Sequence, residues 1–165
     1  MMRLIVPLLL LAGCAVAFPK VTMLFREPDS YEAEVTCCRD VVNTRHYYRD
    51  VVRVSALYLS SHVRNVHSGL SIPEHEDVRV TLLEETSAGL ISLVAKGSFS
   101  GVAEPQKLLR IPISYTTNTA SQFIFQFSFG ASLTYPQYPL SNSPVAPFNS
   151  TNNYHILGVE YEYIE

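Results

Sequence analysis

Charge is scarce in this chain, and its scarcity removes whole classes of protein. Asp, Glu, Lys and Arg make up 16% of the residues, against about 25% in ordinary soluble domains. With a hydrophobic fraction of 47%, that composition excludes an intrinsically disordered chain. The formal net charge is −3, and no clearly basic face marks a nucleic-acid partner. No apolar run approaches the roughly 20 residues that a membrane-spanning helix requires. The 7 glycines form no phosphate-cradling loop, and no Gly-x-Ser-x-Gly elbow is present. Only 3 cysteines occur. Cys37 and Cys38 are adjacent, without the two-residue spacer of CxxC redox chemistry.

What is present begins at the N-terminus. Met1-Met2-Arg3, the apolar run Leu4 to Leu11 and the small residues Ala12 to Ala17 have the layout of a secretory signal. Two cleavage routes fit. Ala15-Val16-Ala17 is a small-x-small site that leaves Phe18 as the new N-terminus. Leu11-Ala12-Gly13-Cys14 matches a lipobox, with cleavage before Cys14 and a diacylglycerol on its sulfur; this second route is the preferred one. Residues 1–17 are therefore the signal segment, and 18–165 form one domain of about 150 residues. Either route consumes Cys14 and leaves Cys37 and Cys38, as free thiols, an intermolecular pair or an uncommon vicinal disulfide.

The remaining chain reads as strands. Phe18 to Asp29 is a tether or a first edge strand, broken by Pro19 and Pro28. Tyr31 to Leu59 is rich in β-branched and tyrosine residues and is read as one or two strands. Asp77 to Leu83 alternates polar and apolar, and Leu90 to Gly97 follows after the turn-like Thr86-Ser87-Ala88-Gly89, predicting a hairpin. Lys107 to Tyr115 sets Leu109, Ile111 and Ile113 on one face, and Pro112 places it at a sheet edge or bulge. Gln122 to Phe129 puts Phe123, Phe125, Phe127 and Phe129 on one side, enough aromatic surface to anchor a core. Tyr135 to Asn153 reads as a long loop, and Ile156 to Ile164 as the last strand. The expected fold is all-β, a small sandwich or open barrel of antiparallel strands.

Chemistry is sparse. His62 and His67 lie on opposite faces of any strand, His75 falls in a turn, and the histidines are read as surface or pH-sensitive groups rather than metal ligands. The acidic group Glu74, Glu76, Asp77, Glu84 and Glu85 reads as solvated strand ends and turns. No catalytic, cofactor or metal-binding residue is assigned. Arg39, Arg45, His46, Arg49, Arg53, His62, Arg64 and His67, interleaved with Tyr47, Tyr48 and Tyr58, form a candidate face for an acidic partner or lipid head groups. Asn149-Ser150-Thr151 matches the N-glycosylation sequon.

Ile72-Pro73, the run Val78 to Ala88 and then Ile111-Pro112-Ile113-Ser114-Tyr115 together resemble bacterial lipoproteins of the YbaY/YscW type, which include pilotins of type III secretion. The likeness covers roughly residues 63–135. Ala88-Gly89 stands where an aspartate-rich end is expected, and the tail after Tyr135 is longer than the family's. The resemblance implies a β-sandwich tethered to the outer membrane and facing the periplasm, and supplies no catalytic residue.

The expected function is that of a non-enzymatic, lipid-anchored envelope protein, pilotin- or chaperone-like, that binds a protein or a hydrophobic segment. The alternative is a freely secreted β-sandwich that binds a small apolar ligand or an extracellular partner. The last strand, without a proline, is expected to be the docking edge, with Val159, Tyr161 and Tyr163 as partner-binding residues beside Arg45 and Arg49.

Overall fold

The structure is a computed structural model that describes residues 19–24, 27, 29–30, 33–37, 42–61, 64–65, 78–99, 108–128, 133–137, 147–148 and 156–164. The signal segment with Cys14, the histidines at 62, 67, 75 and 155, the acidic residues 74, 76 and 77, Phe129 and the sequon lie outside the described residues. So does the adjacent thiol at Cys38.

Among the described residues, eleven strands follow one another: β1 (Val21–Leu24), β2 (Ala33–Cys37), β3 (Val42–Tyr47), β4 (Val52–Ser60), β5 (Arg64–Asn65), β6 (Val78–Glu85), β7 (Ile91–Phe99), β8 (Leu108–Thr116), β9 (Gln122–Ser128), β10 (Leu133–Gln137) and β11 (Ile156–Tyr163). Two four-stranded antiparallel sheets, β1-β11-β4-β8 and β3-β9-β6-β7, pack face to face, with a three-stranded sheet β2-β10-β5 beside them. The fold is the all-β sandwich expected, and it does not close into a barrel.

One core joins the two large sheets. From the second come Val78, Val80, Leu82, Phe123, Phe125 and Phe127; from the first come Val54, Leu57, Leu109, Ile111, Ile113 and Val159, all buried. Period-two spacing on β8 and β9 places these side chains on a single face. The phenylalanine row is the aromatic centre, with Phe125 and Phe127 stacked at 6.3 Å. The β6–β7 hairpin also forms as expected, its turn closed by Thr86 N donating to the Leu90 carbonyl at 2.9 Å. Pro112 lies on β8, an edge strand, where a missing N–H costs no ladder bond.

Four expectations are corrected. The segment Tyr31 to Leu59 holds three strands rather than one or two. The break between β3 and β4 is made by a turn that Thr117 fastens: its hydroxyl accepts from Val52 N at 2.8 Å and donates to the Asp50 carbonyl at 2.8 Å. The predicted loop from Tyr135 begins inside a strand, β10. Pro136 is tolerated there because β5 reaches only Leu133 and Thr134, so β10 is paired on one side alone at the proline. Phe148, also from that stretch, is buried against Tyr48. His46 is not at the surface but fully buried, its ring edge-on to Phe125 at 5.2 Å and Phe148 at 5.1 Å.

The fourth correction concerns β11, which is not an edge. It is paired with β4 on one side and with β1 on the other. Gly158 makes the second pairing feasible, because any β-carbon there would collide with the carbonyl oxygen of Met23. Phe18 to Asp29, read as a tether or a first edge strand, supplies the edge strand β1 that covers β11.

Candidate functional site

The residues expected to bind a partner are separated by the fold. Val159 and Tyr161 point into the core, at 0% and 4% exposure, because β11 is interior. Tyr163 is exposed and edge-on to Tyr161 at 5.6 Å. It pairs with Val52, so it lies at the end of the sandwich that also holds the Arg49–Asp50 ion pair of 3.5 Å. Arg45 lies on the opposite sheet, on its outer face. The mixed basic and aromatic stretch is likewise split. Tyr48, Tyr58 and His46 are buried, and Arg53 on β4 is taken up by Glu162 at 2.9 Å. Tyr48 and Tyr115 hydrogen-bond to each other through their hydroxyls within the core. Burial pushes both phenols well above their ordinary range, so the pair stays neutral.

The outer faces of the two sheets differ in kind. On the β1-β11-β4-β8 sheet, Glu160 gathers nearly every nearby donor. It accepts from Arg110 at 2.9 and 3.4 Å, from Ser55 at 2.7 Å and from Tyr58 at 3.5 Å, with Lys20 at 3.8 Å. Its carboxyl is held below the ordinary range, first by the Arg110 hydrogen bond, against the opposing effect of burial. Tyr58, Leu108 and Leu157 form a small buried cluster beside it. This face is occupied by its own side chains.

The other outer face is open. Cross-strand register aligns Arg45, Ile124, Leu83 and Leu93 in one row over β3, β9, β6 and β7, and Tyr47, Gln122, Glu85 and Ile91 in the next. A depression of about 360 Å³ lies at that end, lined by Arg45, Tyr47, Glu85 and Gln122 from the strands and by Thr86 and Ala120 from the turns. The rows run outward to β7, where aliphatic exposure peaks: Leu90 is 70% exposed, Ile91 59% and Leu93 55%. Single exposed aliphatics are ordinary, but consecutive ones on a strand edge are not.

Edge protection accounts for the other three borders of the large sheets. β8 carries Pro112, β1 is four residues long and follows Pro19 and Lys20, and β3 presents Arg45. On β7, the half from Leu90 to Ala95 has no charge and no proline, its first charge is Lys96, and its one irregularity is a bulge at Val94, where the register against β6 shifts. Beyond Lys96 the edge is covered. Gly97 is pressed against β8, where a β-carbon would sit 2.5 Å from the Pro112 carbonyl oxygen. The uncovered edge is therefore the N-terminal half of β7 alone. The sequence marks Leu90 to Val94 as apolar, but a hydrophobic run looks the same whether it is buried or bare. Only strand order shows that nothing among the described residues flanks it.

Among the described residues, no three His, Cys, Asp or Glu side chains come together as a metal site, and no helix is long and apolar enough to cross a membrane. Comparison with protein-family models, curated proteins and solved structures finds no match.

Proposed function

We propose that this chain is an exported, non-enzymatic binding domain that takes an extended apolar segment of a partner protein along the N-terminal half of β7. The observation that carries this reading is the uncharged, proline-free edge bearing Leu90, Ile91 and Leu93. An incoming strand adds main-chain hydrogen bonds to the sheet, and alternate side chains meet the aliphatic row. Burying the exposed part of each aliphatic side chain contributes about 1–1.5 kcal/mol. The cost of association offsets much of that sum, so binding is reversible and depends on partner fit. The depression beside Arg45 and Glu85 offers polar contacts at one end of the groove.

The mature protein is proposed to be lipid-anchored through Cys14 and to face the periplasm, a reading supported by Leu11-Ala12-Gly13-Cys14 at the end of a signal segment. Intact mass separates this from free secretion: a diacylglyceryl Cys14 in the first case, an unmodified Phe18 in the second. A pilotin- or chaperone-like task is the form of binding that the family resemblance favours.

The binding reading is tested by a photo-crosslinking amino acid placed at position 93 and, separately, at position 114 on the proline-guarded β8. Irradiation in the native compartment is expected to yield adducts from position 93 and none from 114. Equal labelling from both, or none from 93, overturns it.

A further inference from the structure

We infer that the occupant of the β7 edge is β7 of a second copy of this chain, giving an antiparallel pair about a two-fold axis through Ser92. This rests on the reading of β7 as a strand acceptor and names its partner.

The sequence of the open edge is symmetric in character. Leu90-Ile91-Ser92-Leu93-Val94 has two aliphatic residues on each side of one serine. In an antiparallel pair about a two-fold axis, residues whose numbers are equidistant from the axis face each other. With the axis at Ser92, Ile91 meets Leu93 of the second copy, twice, and the bulge at Val94 bounds the regular ladder on the side away from the turn. The row Ile124-Leu83-Leu93 on the outer face then continues into Ile91 of the second copy, so the most exposed aliphatic groups of both chains cover one another. Lys96, the one charged residue on the strand, falls opposite Ala88 of the second copy, and no like charges meet. Each lysine also lies toward the turn end of the other chain, where Glu85 stands on the same outer face.

The extent of the free edge matches this pairing. The turn from Thr86 to Leu90 ends it on one side, and the contact of Gly97 with the Pro112 carbonyl ends it on the other. A two-fold axis at Ser92 uses the stretch between those limits and needs nothing from the covered half. The result is one continuous eight-stranded sheet with both sandwich cores intact. Because the contact involves about seven residues per chain, its area is at or below the ~1,200 Å² of small stable interfaces, and the association is weak and concentration-dependent.

The test uses the full mature protein. Sedimentation velocity over about 1–100 μM, the range such an interface predicts, is expected to show reversible dimerisation, weakened at least tenfold by Leu93→Lys. Ser92→Cys places two thiols directly across the axis, at a separation that antiparallel pairing and disulfide geometry share. Under mild oxidation it is expected to give a covalent dimer. Ser98→Cys, outside the paired stretch, and the wild type, which carries Cys37 and Cys38, are expected to give only background. A monomer at every concentration with no Ser92→Cys dimer overturns the second copy as occupant; adducts from position 93 to a different protein would then leave the strand-acceptor reading standing. A dimer indifferent to Leu93→Lys uses another surface and also overturns the inference.

Discussion

The two large sheets share a core but finish their outer faces in opposite ways. On the sheet containing β11, a carboxylate and its surrounding donors tie three strands together, and the N-terminal strand covers what would otherwise be a free edge. On the sheet containing β7, the outer face carries mixed rows that turn aliphatic at Leu93 and Ile91, on an edge that nothing among the described residues flanks. Both faces come from strands with similar β-branched and aromatic content. What separates them is how charge and proline are used: Glu160 and Arg110 pair on the first sheet with Lys20 beside them and Pro112 on its edge, whereas the second sheet carries Arg45, Glu85 and Lys96 but none on Leu90 to Ala95. The borders of the first sheet, β1 and β8, are short or carry proline, whereas the start of β7 keeps unpaired main-chain groups of the kind that can template another strand.

If the sheets differ only on their outer faces, their inner faces must be equally committed, and the largest effect tests that premise. Phe125 is fully buried on β9, while its neighbour Gln126 points outward and is half-buried. Phe125→Ala is expected to lower unfolding free energy by about 3–5 kcal/mol, the range for a buried aromatic. Gln126→Ala is expected to cost well under about 1 kcal/mol. Chemical denaturation of both variants measures the difference. Similar losses would mean that the sheet bearing β7 is not packed as tightly as the other.

The parts of the fold legible in the sequence are those where period-two patterning coincides with a buried face. Phe123, Phe125 and Phe127, the β6–β7 hairpin and the edge position of Pro112 were all readable for that reason. Strand order was not, because pairing partners are set by contacts between distant segments. Val159 and Tyr161 alternate with Glu160 and Glu162 in the manner of a half-exposed strand. That pattern reports one wet face and says nothing of whether the two borders are paired. The same gap hid the proposed site. Leu90 to Val94 is recognisable as a strand, but its exposure follows from being fourth in the order β3-β9-β6-β7. His46 escaped because a polar residue on a strand usually faces water, whereas here Phe125 and Phe148 enclose it.

A smaller effect distinguishes the tied face from the open one by pH. Glu160 titrates below its ordinary value in the folded state, chiefly through Arg110. A carboxyl with a lowered folded value contributes stability that is fully present above its unfolded value, near 4.5. That contribution is lost as pH falls through the lower folded value. Glu160→Gln is therefore expected to lose about 1–2 kcal/mol at neutral pH, the scale of hydrogen bonds to a charged group. Its denaturation midpoint should approach that of the wild type as pH falls below the unfolded value and on through the lower folded one. A constant gap across the whole range would show that Glu160 acts by packing rather than by charge.

The smallest expected effect is on the open face, and its smallness is the point. Leu93 is 55% exposed on an edge strand, so replacing it removes little buried surface. Leu93→Lys is expected to change unfolding free energy by no more than about 0.5 kcal/mol, as for surface substitutions generally. The corresponding charge on the inner face of the same sheet, at Leu82, would be buried without a partner and would cost several times more. Measured at a dilution where the wild type is monomeric, the comparison isolates the strand from its partner. A loss above about 1.5 kcal/mol, the scale of a properly buried aliphatic, would place Leu93 inside the fold and remove the physical reason for treating β7 as a site. A stable variant that no longer associates is the signature of a residue exposed for the sake of what it contacts.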